Sequence, residues 1–156
     1  MMRHVTITTT RSILVNRPRE VVWDFTQNYA LRQQWDSSVA HTSVIQSTPT
    51  PIVRVKLRGG IALTYVYKLF DRPRKTSLVA TEIESSSIET AGGSWSYEDR
   101  DGATFWTQTN SIALRRNLLV SILRPGLQLA LELSTRQAMR KAKRLLEHSS
   151  TSNPSW

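Results

Sequence analysis

Hydrophobic and polar positions change period repeatedly along this chain, and each change marks an expected element. Residues Val5 to Val15, VTITTTRSILV, are dense in β-branched side chains with partial alternation, which predicts a strand. The following VNRPREVVWDF turns helical. Pro18 suits a first helical turn, where its missing N–H costs nothing. Glu20 places a carboxylate near the helix N-terminus, and Val21, Val22 and Phe25 form an apolar face. This helix is expected to end near Asn28. YALRQQW predicts a second short helical piece, closed by Asp36 and Ser37.

From Val39 the pattern becomes short apolar runs separated by turn chemistry: VAHTSVIQS, TPTP, IVRVKLR, GG and IALTYVYKLF. Strict alternation in IVRVKLR puts Val53, Val55 and Leu57 on one face and Arg54, Lys56 and Arg58 on the other, the pattern of a sheet with one wet side. In the next strand the same parity turns Ile61, Leu63, Tyr65, Tyr67 and Leu69 inward. TSLVATEIE follows DRPRK, and SSSIETAGGSWSYE meets ATFWTQTNSIAL across a turn centred on Asp101 and Gly102. Gly92 and Gly93 interrupt a ring-rich strand, a device that bends sheets.

After Leu114 a helical period runs from about Asn117 to Glu147. Leu119, Ile122, Gly126, Leu129, Ala130 and Leu133 share a stripe, expected to cover the apolar face of the sheet, and Ala138, Ala142, Leu145 and Leu146 continue the apolar character. Pro125 with Gly126 predicts a kink or local break.

Composition narrows the function classes. A chain of 156 residues fits one domain, and 39% hydrophobic with 21% charged residues is ordinary for a soluble globular protein. The absence of cysteine excludes disulfides, thiolate metal sites and a cysteine nucleophile. His4, His41 and His148 have no ligand spacing, so neither a metal nor another cofactor is expected. The N-terminus lacks the apolar core of a signal peptide, and no run of roughly 18 apolar residues occurs, which together lead to the expectation of a cytoplasmic protein. Net charge is +9, and from Arg115 to Arg144 the basic residues face the single acid Glu132. Such a field attracts RNA, a ribosome, an acidic partner protein or an acidic membrane surface without choosing among them, and a solvated helix face is the plainest reading of RQAMRKAKR.

The order strand, two short helices, strands, long helix, with VNRPREVVWDF after the first strand and LRQQW closing the second helix, resembles the START/Bet v 1-like superfamily, in particular its polyketide cyclase/dehydrase-like branch. The resemblance covers about Val5 to Glu147 and implies an α+β helix-grip fold. A curved seven-stranded antiparallel sheet would wrap the long C-terminal helix and leave a cavity for a small hydrophobic or amphipathic ligand such as a lipid, a quinone or a polyketide. Residues 1–147 would then form one ligand-binding domain and 148–156 a polar tail.

Strand parity combined with that fold nominates ligand-binding residues. From the short helix and the central strands come Trp35, Val55, Leu57, Leu63, Tyr65 and Tyr67; from the last hairpin come Trp95, Tyr97 and Gln108; from the long helix come Ile122, Gly126, Leu129 and Leu133. Tyr29 and Asp36 sit with Trp35 at the expected mouth. An enzyme would need an acid or base inside, with Tyr65, Tyr67, Glu82, Glu84, Tyr97, Gln108 and Asn110 as candidates. Glu82 and Glu84 share a strand face opposite Val79 and Ile83 and are expected in solvent. No catalytic constellation is visible, so the leading expectation is a carrier or sensor. A cyclase or dehydratase is the first alternative and a basic contact module the second.

Overall fold

The computed structural model describes residues 4–149. The chain runs β1 (His4–Val15), α1 (Arg19–Thr26), a 3-10 turn (Tyr29–Leu31), α2 (Arg32–Trp35), β2 (Val39–Gln46), β3 (Ile52–Leu57), β4 (Ala62–Asp71), β5 (Lys75–Glu84), β6 (Ile88–Arg100), β7 (Ala103–Arg115) and α3 (Leu118–His148). The strands form a seven-stranded antiparallel sheet in the order β1-β7-β6-β5-β4-β3-β2. The architecture is the expected α+β helix-grip arrangement, with α3 packed beside β1 and the two short helices after the first strand.

Local chemistry explains the element ends. The Asn117 side chain caps α3 by accepting from the Val120 N–H at 2.7 Å. At the opposite end Arg17 donates to the carbonyls of Leu146 and Glu147, both at 2.9 Å, satisfying acceptors that a helix C-terminus leaves without intrahelical donors. The β6–β7 hairpin turns through Asp101 and Gly102, both at positive φ as a tight hairpin turn requires.

One apolar cluster fills the end of the grip next to α1: Trp23, Phe25, Trp35, Trp95, Tyr97 and Trp106 pack against Ala138, Met139, Ala142 and Leu146. A second cluster joins Tyr29, Val39, Val53, Val55 and Tyr67. The rings meet edge-on or tilted at 5–6 Å in most pairs, as Trp23–Tyr97 at 5.0 Å and Trp35–Trp106 at 5.7 Å illustrate, a geometry aromatic quadrupoles favour.

Three expectations need correction. Leu69 was expected inward, but the β4–β5 register shifts between Tyr67 and Leu69, which reverses the parity. Leu69 is therefore exposed, and Phe70 packs edge-on to Trp23 and Tyr67. The helix stripe also faces the other way: Leu119, Ile122, Gly126, Leu129 and Leu133 are exposed, and α3 meets the sheet through Thr135, Ala138, Met139, Ala142 and Leu146. Small Ala and Thr side chains allow the helix axis close to the sheet, where a leucine ridge would hold it off. Finally, of the kink or local break expected at Pro125, the break does not occur: α3 is one helix over Leu118–His148. Among the described residues no helix is long and apolar enough to cross a membrane. The tail expected from 148 onward lies, beyond Ser149, outside the described residues.

Candidate functional site

A cavity of about 170 Å³ lies between the concave side of the sheet, the segment around α2 and the middle of α3. Its apolar wall includes Val39, Val55, Leu57, Leu63, Leu78, Ile88, Trp95 and Ile112 from the strands, with Leu131 and Ala138 from α3. Gly92 lines it too, at a point where a Cβ would stand 2.9 Å from the Leu78 carbonyl oxygen.

Polar groups are gathered on this wall rather than scattered. Arg32, the first residue of α2, is only 7% exposed. Its guanidinium carbon lies 4.7 Å from the ring centroids of Tyr29, Trp35 and Trp95. One amino group reaches the Thr26 carbonyl at 3.3 Å, and Nε has no hydrogen-bond partner among the described residues. No carboxylate forms an ion pair with Arg32 there. The π faces compensate part of the desolvation, but the cation keeps donor capacity.

Across the cavity, Trp95 Nε1 donates to Asn110 Oδ1 at 3.3 Å, and Asn110 Nδ2 donates to Gln108 Oε1 at 3.2 Å. This fixes the amide orientations and leaves Gln108 Nε2 a buried donor without a partner. Burial pushes the Tyr65 phenol up to about 12, with the neighbouring Tyr29 adding to the shift, so Tyr65 is protonated at neutral pH. Asp36 also lines the cavity, but its Oδ1 is engaged by the Ser38 amide at 3.1 Å and the Ser38 hydroxyl at 2.6 Å.

The nominated residues divide by position. Val55, Leu57, Leu63, Tyr65, Trp95 and Gln108 line the cavity. Trp35, Tyr67 and Tyr97 do not; they are buried beneath it. Tyr67 exchanges a 2.5 Å hydrogen bond with Tyr29 and donates to Gln27 Oε1 at 2.9 Å, while Gln27 Nε2 donates to Tyr97 at 2.8 Å and Thr26 bonds the same phenol at 2.7 Å. Their hydroxyls are thus spent on one internal network. Ile122, Gly126, Leu129 and Leu133 lie on the far side of α3, because the cavity meets that helix at Leu131, Ser134, Thr135 and Ala138. Glu82 and Glu84 are exposed, and Glu84 pairs with Arg54 at 2.7 Å. Among the described residues no group of three or more His, Cys, Asp or Glu side chains is placed to hold a metal ion.

Arg32 was not singled out from the sequence, yet its position carries a signal. Tyr29 and Trp35 stand three residues to either side of it, a spacing that brings both rings to the same side of a helical turn as the guanidinium.

Solved structures with this architecture are numerous. A protein from Thermus thermophilus superposes with a TM-score of 0.78 at 12% identity, covering 94% of this chain and 100% of that one. The Zhui aromatase/cyclase from a Streptomyces species gives 0.78 at 14% identity over 92% and 95% of the two chains. A START superfamily protein from Mycobacterium smegmatis gives 0.62 at 10% identity, covering 87% of this chain and 98% of that one. At these identities the likeness speaks for the fold. A search of curated protein sequences finds no significant match. The sequence profile described as polyketide cyclase/dehydrase and lipid transport matches residues 6–147, nearly the whole chain, and the chain belongs to that family.

Proposed function

We propose that the protein binds one small amphipathic molecule in the cavity, with the apolar body of the ligand against Leu63, Leu78, Ile88 and Ile112 and an acceptor group, anionic or carbonyl, directed at Arg32 and Gln108. The observation that carries this reading is that Arg32 and Gln108, both lining a largely apolar cavity, each keep a buried nitrogen donor, Nε and Nε2, without a partner among the described residues. An unmet buried donor costs about 1–3 kcal/mol, a penalty that a ligand oxygen removes on binding. The volume suits a body of one or two rings or a short acyl segment, since a cavity of about 150 Å³ already holds benzene.

Native mass spectrometry and tryptophan fluorescence against fatty acids, quinones and aromatic carboxylates test this. Stoichiometric binding of an acceptor-bearing member is expected. A panel that binds nowhere, or equally well to Arg32→Met, overturns the reading.

A cyclase or dehydratase is a second reading, supported by the same polar wall: Arg32 and the protonated Tyr65 phenol both line the cavity and would polarise a ligand carbonyl. It requires conversion of a polyketide-like carbonyl substrate, whereas the binding reading predicts that ligand is recovered unchanged.

A further inference from the structure

The outward face of α3 is divided along its length. Leu119, Ile122, Leu129 and Leu133 follow one another at spacings of three, seven and four residues, so they lie on one stripe, with Gly126 between. They are strongly exposed, Leu119 at 64% and Ile122 at 66%. The stripe then continues in the same register as Arg136, Arg140 and Arg144, flanked by Lys141. These four cations are exposed and form no ion pair among the described residues. The two acids of the helix are engaged elsewhere: Glu132 with Arg11 at 3.2 Å and Glu147 with Lys143 at 2.6 Å, both toward β1. At 1.5 Å per residue the apolar half extends about 21 Å and the basic half about 12 Å.

We propose that this face docks on an anionic lipid membrane. The leucines and Ile122 enter the boundary between headgroups and acyl chains, and Arg136, Arg140, Lys141 and Arg144 hold anionic headgroups while their stems lie along the interface. Arg116 and Arg124 add positive charge near the apolar half.

A second copy of the chain is the competing occupant, and the stripe itself speaks against it. Parallel pairing sets Arg136 and Arg140 against their own copies, and full antiparallel overlap sets them against Leu119 and Ile122, so either arrangement buries unpaired cations. A membrane supplies apolar depth and negative charge side by side. The docked face also lies behind Leu131, Ser134 and Thr135, which line the cavity from the other side of the same helix.

Sedimentation of the ligand-free protein with vesicles tests the proposal independently of what the cavity binds. Vesicles of phosphatidylcholine containing about one-third phosphatidylglycerol should bind, and pure phosphatidylcholine should bind at least tenfold more weakly. Neutralising Arg136, Arg140, Lys141 and Arg144 to glutamine should cost at least tenfold. Ile122→Ser with Leu129→Ser, which leaves the charge unchanged, should also cost about tenfold or more. Circular dichroism melting should stay close to wild type, because all six positions are exposed. Binding that ignores the two serines is adsorption by net charge alone and overturns the proposal. So does absence of vesicle binding, including the case in which analytical ultracentrifugation finds a dimer that the two serines dissolve.

Discussion

The Arg32 guanidinium stands 4.7 Å from the Trp95 ring centroid, a buried cation on the wall of the cavity and against the indole that helps line it. Trp95 in turn donates to Asn110, which donates to Gln108, so the two cavity-lining residues that keep an unpartnered donor are linked through one indole. This makes Trp95 a reporter of whatever occupies the space.

The first prediction concerns Arg32. Arg32→Met keeps an apolar stem and removes the cation, so affinity for naphthoate should fall at least tenfold, in line with the 1.5–3 kcal/mol of a hydrogen bond to a charged group. Affinity for the uncharged naphthalene body should stay within a few-fold. Titration of tryptophan fluorescence measures both, and equal losses for the two ligands would assign Arg32 to packing alone.

Tyr97 predicts the opposite division. Its hydroxyl ends the buried network with Thr26 and Gln27 and does not line the cavity. Tyr97→Phe leaves Gln27 Nε2 without its acceptor and should cost about 1–3 kcal/mol of stability, seen as a lower melting temperature. Naphthoate affinity of the folded variant should be unchanged, and a selective loss of affinity at full stability would move Tyr97 into the site.

Much of this organisation is legible in the sequence, for reasons that particular residues make plain. The alternation Val53, Val55, Leu57 identifies the inner face of β3 because a two-residue period has only two faces to choose from. It stops working at the register shift after Tyr67, where one extra residue exchanges Leu69 for Phe70 and no side chain announces the change. On α3 the leucine stripe reads as buried because apolar stripes usually are. The face that packs is instead built from Thr135, Ala138, Met139, Ala142 and Leu146, where only two large apolar side chains stand among small ones, and a hydropathy pattern does not register closeness of approach. Arg32 escapes notice because a lone cation on a short helix looks like solvent-facing charge until the rings around it are placed.

Alkaline pH gives a third prediction. Burial raises the phenols of Tyr65, Tyr67 and Tyr97 above their ordinary value near 10, Tyr65 to about 12. The folded state therefore binds protons that the unfolded state releases, so their contribution is complete below about pH 10 and is lost as pH rises toward and beyond 12. Denaturant midpoints should be insensitive to these groups near neutrality and fall steeply above about pH 10. Tyrosinate absorbance of these residues should appear together with unfolding; ionisation well before loss of structure would show that the rings are accessible.

Gly93 provides the last test, one that separates the sheet from the cavity. A Cβ built there would lie 2.5 Å from the Thr109 carbonyl oxygen and 2.9 Å from Asn110 Oδ1, on the face shared with its cavity-lining strand partner Leu78, whereas at Gly92 it would lie 2.9 Å from the Leu78 carbonyl oxygen and 3.7 Å from Cγ1 of its exposed partner Val79. Neither glycine has a positive φ, so the constraint is space and not backbone conformation. Gly93→Ala has to push β7 or displace the Asn110 amide that orients Gln108, with an expected cost of about 1–3 kcal/mol in stability. Gly92→Ala should cost a similar amount yet leave naphthoate binding of the folded variant unchanged, because its methyl group stands on the exposed Val79 side of the sheet. Equal stability of Gly93→Ala and wild type in thermal melts would mean that the sheet yields at this bend, and that the curvature around α3 does not depend on the glycine.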